Sequence, residues 1–313
     1  MIGSGRYGAS RRAFLMGTGA GAVMLASAEV AALPRSPMPV AAPVRPIFAA
    51  FDMADVDLHD GPFLHAQRLT EAYLLRLDPD RMLHAFRLNA GLKPRAPAYG
   101  GWESEPMWAD INCHGHTLGH YLSACALAFR STRDQRYAAR IEHIAGELAA
   151  CQAAADSGLV TAFPDGPALM ARHLAGQPIT GVPWYTLHKL YAGLRDAALL
   201  ADSRASRAVL IRLADWGVAA CRPLTDAQFE AMLATEHGGM NEVYADLFAM
   251  TGKAEYRDLS RRFSHKAILD PLAKGRDHLD GLHANTQVPK ITGFHRVYET
   301  TGDATYRNAA RFF

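Results

Sequence analysis

Beyond residue 60 the chain repeats apolar side chains at i, i+3, i+4 and i+7, most clearly in Leu64 to Leu77, His116 to Phe129, Tyr137 to Cys151 and Leu187 to Leu200. A stripe of that period lies along one face of an α-helix, so each stretch predicts an amphipathic helix with one face in a core. Strict alternation of apolar and polar residues is nearly absent, which makes the predicted fold class all-α. A longer period lies on top of this one. "YADLFAMTGKAEYRDLSRRF", Tyr244 to Phe263, is echoed by "FHRVYETTGDATYRNAARFF", Phe294 to Phe313, fifty residues later. Weaker copies run from Phe129 to Arg140 and from Leu200 to Ala208. Each copy reads as a helical hairpin: a helix, a tight turn with Gly or a polar C-cap, then Asp or Lys opening the next helix. Hairpins of this size, separated by irregular polar inserts, suit a closed (α/α)6 toroid or barrel better than an open solenoid. The pattern supplies about ten helices of the twelve such a barrel needs, and it stops at Phe312-Phe313 in mid-pattern, so a barrel truncated at its C-terminus is expected.

With 49% hydrophobic and 20% charged residues in 313, the chain has apolar material for a large core. The formal charge is only +2 and no basic run follows a helix face, so the composition gives no support to nucleic-acid binding. Ser10-Arg11-Arg12 precedes an apolar stretch ending in Ala26-Ser27-Ala28, the layout of a twin-arginine export signal over residues 1–32. That stretch is shorter than the roughly 18 to 20 residues a membrane span needs, so no stable membrane association is expected after cleavage. A Pro/Ala-rich leader over 33–50 and a barrel domain over 51–313 follow, and the expected location is periplasmic or secreted. Cys113, Cys125, Cys151 and Cys221 are widely spaced, without a C-x-x-C pair, and read as core thiols.

The inserts before alternate helices carry the chemistry: "YGGWESEPMWADINCHGHTLGHY", "TGVPWYTLHK", "TEHGGMNE" and "DGLHANTQVPK". In a barrel they gather at one end, around a central hollow. His237, Asn241 and Glu242 would line such a funnel, with Gly238 and Gly239 letting the backbone turn and approach closely. Trp102, Trp108, Trp184 and Tyr185 offer flat rings that stack on sugars, and the composite points to a carbohydrate pocket. His116 and His120 stand at i, i+4, a spacing that can chelate zinc, but Gly115 and Gly119 beside them fit close backbone packing and no HExxH signature is completed. Glu103, Glu105, Glu236 and Glu242 are candidates for a carboxylate acid and base. Set on one helix, Glu236 and Glu242 would stand about 240° apart and share no face. His283, Asn285, Gln287 and Lys290 read equally well as ligand contacts and as groups that satisfy loop backbone. G-x-S-x-G and phosphate-loop motifs are missing.

"GHTLGHYLSA" (Gly115 to Ala124), "WYTLHKLYAGL" (Trp184 to Leu194), "EHGGMNEVYADLFAMTG" (Glu236 to Gly252) and "LHANTQVPKITG" (Leu282 to Gly293) together resemble the β-L-arabinofuranosidase-type glycoside hydrolases, family 127 and its close relatives, once a domain of unknown function. The resemblance runs from about Phe51 to the last residue. It implies an (α/α)6 barrel that removes terminal β-L-arabinofuranosyl units from plant-type glycans with retention. It also implies a cysteine thiolate nucleophile held on zinc by further cysteines and a glutamate, with a second glutamate as acid and base. The family's Glu-x-Cys segment and later paired cysteines lie beyond the residues matched, so zinc is expected for the full-length family enzyme and none for the residues of this chain. By resemblance, His237 is a sugar-contacting histidine, and His188, His283 and Gln287 are further pocket residues. Two other classes remain open at this stage: a carboxylate-based α/α-barrel hydrolase or lyase using Glu236, Glu242 or Glu103, and a non-catalytic glycan-binding module.

Overall fold

The computed structural model describes residue 44, residues 48–101 and residues 113–313. The signal segment and Trp102, Glu103, Glu105 and Trp108 lie outside the described residues. Among the described residues there is no strand. After a short 3-10 turn (Met53–Asp55) come α1 (Pro62–Arg76), α2 (Pro79–Met82), α3 (His84–Asn89), α4 (His116–Thr132), α5 (Gln135–Ala154), α6 (Gly166–Leu174) and α7 (Pro183–Leu200). Then follow α8 (Arg204–Cys221), α9 (Asp226–Met232), α10 (Met240–Thr251), α11 (Ala254–Arg262), α12 (Lys266–Ala273), α13 (Ala284–Thr301) and α14 (Ala304–Phe312). The periodicity undercounts these helices because α2, α3, α6, α9 and α12 have only four to nine residues. Two turns hold too few apolar positions for a 3.6-residue period to register.

The repeat is a set of four hairpins, α4–α5, α7–α8, α10–α11 and α13–α14. Gly252 and Gly302 sit in the left-handed region, at φ 74° and 73°, and donate their N–H to Phe248 O and Tyr298 O, closing the helix. Arg133 takes the same place after α4 at φ 60°, bonded back to Phe129 O. One residue earlier, Thr132, Thr251 and Thr301 each bond a carbonyl one turn back and accept the N–H two residues on. Asp134, Ser203 and Asp303 then cap α5, α8 and α14 with a side-chain oxygen. Tyr137, Tyr256 and Tyr306 follow in the first turn of the second helix and are buried, and Tyr256 and Tyr306 meet the rings of Tyr244 and Phe294 in the first helix.

The first helices of the hairpins pack side by side in the order α4, α7, α10, α13, while α5 meets α8 and α8 meets α11 in a second layer. Glycines set the first layer's spacing. A Cβ on Gly119 would fall on the Lys189 carbonyl, and one on Gly193 would fall on the Gly119 carbonyl, so α4 and α7 cross backbone to backbone. Gly293 of α13 likewise leaves room for the Asn241 side chain of α10. Aromatic rings fill the space between layers: Tyr191 and Tyr244 meet at their hydroxyls (3.1 Å), and Trp184, Phe229, Tyr244 and Phe263 form one continuous ring cluster. This parallel order brings the N-termini of α4, α7, α10 and α13 to one end of the domain, together with the described parts of the polar inserts that precede them.

Candidate functional site

At the mouth of α10 the sequence Glu236-His237-Gly238-Gly239 turns sharply into the helix. Gly238 has φ +55°, and His188 of α7 lies across both glycines. A Cβ on Gly238 would stand 2.7 Å from His188 Nδ1, and one on Gly239 2.8 Å from His188 Nε2. The two glycines are there because an imidazole from the neighbouring helix occupies the space side chains would need. His188 is itself buried, and its Nδ1 lies 3.2 Å from Lys189 Nζ. An ammonium can only donate, so Nδ1 accepts and the ring's proton sits on Nε2.

His237 is 1% exposed, and its Nδ1 faces the Thr235 carbonyl at 3.2 Å. A carbonyl can only accept, so Nδ1 carries the hydrogen and Nε2 presents a lone pair. That Nε2 is buried and has no hydrogen-bond partner among the described residues. The ring stands edge-on to His265 (centroids 5.7 Å apart), and His265 Nδ1 lies 2.9 Å from Lys290 Nζ. Lys290 also donates to Gln287 Oε1 at 3.1 Å.

Electrostatics keep these imidazoles uncharged. Burial pushes the pKa of His188 well below its ordinary value, with further depression from Lys189, Arg195, His120 and His237. His237 is depressed in the same way, by burial first and then by Lys290. Burial and Lys290 bring His265 down to about 4, and burial brings Lys290 down to about 8. The charges of Glu236 and Glu242 act in the opposite sense on Lys189, and Glu236 does so on Lys290. Neutral imidazoles with assigned tautomers, ammonium donors and carboxylates together suit a neutral, hydroxyl-rich ligand.

Beneath this end runs a chain of ion pairs. Arg195 of α7 bridges Asp196 with Glu242 and Asp246 of α10, and Arg296 of α13 reaches Asp246 and Glu299. Glu242 therefore faces Arg195 at 3.2 Å, and burial holds its carboxyl above the usual range. Glu236 precedes α10 and does not share its helix with Glu242.

Several expected site residues are placed elsewhere. Trp184 is fully buried against Trp216 and Phe263, its Nε1 donating to Met232 Sδ, so its indole packs the core and has no exposed ring face for stacking on a sugar. Asn241 is a bracket between helices: Nδ2 donates to Lys290 O and Oδ1 accepts the Glu242 N–H. His283 is exposed at the start of α13, whereas Gln287, one turn on, is buried beside Lys290. His116 lines a cleft of about 440 Å³ with Tyr73, Met82, Tyr99 and Thr117, its Nδ1 donating to Cys113 O and its ring edge-on to His120. Sequence reasoning missed His265, whose "SHKAILD" context carries no motif. Its one signature, a non-glycine at φ 46°, belongs to the backbone.

The described donors do not fit a cysteine-held zinc. Among the described residues no three His, Cys, Asp or Glu side chains converge as a metal site. Burial raises the thiols of Cys125 and Cys151 to about 11 and that of Cys221 to about 12, the opposite of what a thiolate ligand requires.

Over residues 55–313 the chain matches the family model described as β-L-arabinofuranosidase, GH127 catalytic domain. No curated protein matches it.

Proposed function

The chain belongs to the GH127 β-L-arabinofuranosidase family, and from that premise we propose that it is an exported glycoside hydrolase acting on terminal β-L-arabinofuranosyl units of plant-type glycans. Glycoside hydrolysis and an (α/α)6 barrel come with the family; the arabinose specificity and the export are our reading. The observation that carries the substrate proposal is the unpartnered, buried Nε2 of His237 among neutral imidazoles.

In this reading His237 accepts a hydrogen bond from one sugar hydroxyl through Nε2. The Nε2–H of His188 is the matching donor, held in that tautomer by Lys189. A furanosyl ring carries no charge, and a site whose imidazoles stay neutral binds it without having to shed or take up a proton. The half-buried Arg195–Asp246–Arg296 chain keeps the helices beneath the site in register. No nucleophile is assigned to the described residues, because the thiols that titrate there are held protonated and Glu242 is engaged with Arg195. The 313-residue chain is therefore proposed to bind the sugar and to turn it over slowly or not at all by itself.

Calorimetry with L-arabinose and a β-L-arabinofuranoside, alongside release of arabinose from the same glycoside, tests both parts. The proposal predicts binding that is lost in His237→Ala by about tenfold. Fast arabinose release by this chain would overturn the inactivity, and absence of any arabinoside binding would overturn the substrate. Tight binding of other glycans with no hydrolysis in any longer form of the chain would make it a binding module. Replacing Arg11 and Arg12 by lysine should stop export in cell fractionation, and unaltered export would remove the twin-arginine route.

A further inference from the structure

Lys290 is 1% exposed, yet among the described residues its two hydrogen-bond partners, Gln287 and His265, are neutral acceptors. The carboxylates that act on it, Glu236 and Glu230, do so only through the longer-range field. A buried ammonium without a close counter-ion is costly, and a methionine or leucine would fill the same space at no such cost. The surroundings are also arranged for it. His265 holds a left-handed backbone, φ 46° and ψ 87°, unusual for a residue with a Cβ, and its Nδ1 meets the ammonium. Asn241 ties the Lys290 carbonyl to the mouth of α10 at 3.0 Å, so the lysine sits at a braced point of α13.

We infer that Lys290 is a positioning residue: its ammonium, held between Gln287 and His265, sets those two side chains as hydrogen-bond donors beside the acceptor nitrogen of His237. The reason is the one-way chemistry of an ammonium, which donates and never accepts. Gln287 must turn Oε1 toward it, which leaves the amide NH₂ as the group that donates elsewhere. His265 must turn an unprotonated Nδ1 toward it, which puts the ring hydrogen on Nε2. With His237 an acceptor at Nε2, the cluster contains both kinds of partner a vicinal pair of sugar hydroxyls requires. This inference rests on the sugar-binding reading only for what the cluster recognises; the tautomers follow from Lys290 alone.

The test is nuclear magnetic resonance of protein labelled at histidine, free of ligand, in the wild type and in Lys290→Met and Lys290→Arg. In the wild type His265 is the neutral Nε2–H tautomer between about pH 5.5 and 7, where Lys290 is an ammonium. Lys290→Met moves the titrations of His237 and His265 upward and mixes the His265 tautomers. Lys290→Arg preserves the tautomer. Arabinoside affinity falls about tenfold in the methionine variant, more steeply below pH 6. A folded Lys290→Met protein with both titrations and the tautomer unmoved overturns the inference. Should that variant not fold, a wild-type His265 that carries its ring hydrogen on Nδ1 at neutral pH overturns it equally. If the tautomers behave as stated and no arabinoside binds, the substrate reading fails and the positioning role stands.

Discussion

Gly238 and Gly239 show how one atom decides whether the site exists. A methyl group on Gly239 would stand 2.8 Å from His188 Nε2 and 3.2 Å from Glu242 Oε2, so Gly239→Ala must push the imidazole off its perch. We expect this variant to keep its fold, with a melting temperature within a few degrees of wild type, and to lose most of its arabinoside affinity. Gly238→Ala adds left-handed strain of about 1 kcal/mol to the same collision and should lose both affinity and stability. Calorimetry and thermal melts separate the two outcomes, and an alanine at 239 with wild-type affinity would remove His188 from the site. The glycines themselves are legible in the sequence as a turn at a helix mouth. The ring that occupies their space is not, because His188 reaches them from another helix.

At the scale of helices, the hairpin turns and the crossings differ in kind. Gly252→Ala and Gly302→Ala each force a Cβ into the left-handed region and should cost about 1 kcal/mol, a fall in melting temperature of roughly 2 to 4 °C. Gly119→Ala and Gly193→Ala instead drive a methyl into a backbone carbonyl of the partner helix, which no rotamer change relieves, so α4 and α7 must separate. Those two should be several times more damaging in the same melts, and equal costs at the turns and the crossings would show that the close approach is not needed. The turns were readable from the Thr-Gly-x-Ala repeat, since helix capping is settled within a few residues. Gly115 and Gly119 were readable as sites of close packing, but their partners, Phe86 and Ala162 for the first and α7 for the second, came only from the fold.

For the molecule as a whole, buried neutral histidines make stability depend on pH. His173 and His265 titrate at about 4 in the folded chain, and His188 and His237 lie well below their ordinary value, against about 6.5 when unfolded. Between those limits the unfolded chain binds more protons, so stability is fully present above about 6.5 and falls as pH drops toward 4. Melts in the same buffer ionic strength should show a clear loss between pH 7.5 and 5, and a flat profile would mean these imidazoles are already protonated or exposed. His173→Phe, in α6 and outside the proposed sugar site, should flatten part of the slope without changing any arabinoside affinity.

The sequence alone determined what a single segment decides: helices from their 3.6-residue period, hairpins from their caps, and the end of the domain where the polar inserts lie from their place before alternate helices. Resemblance to the family proposed His237, His188, His283 and Gln287 as pocket residues. Tertiary structure decided which side chains meet across distance. It put Trp184 in the core, turned Asn241 into a bracket to Lys290 forty-nine positions away, and set His265 against Lys290 across twenty-five. A period reports which face of a helix is apolar, but a contact between helices depends on their crossing and rotation, and those are fixed only when the whole core packs at once.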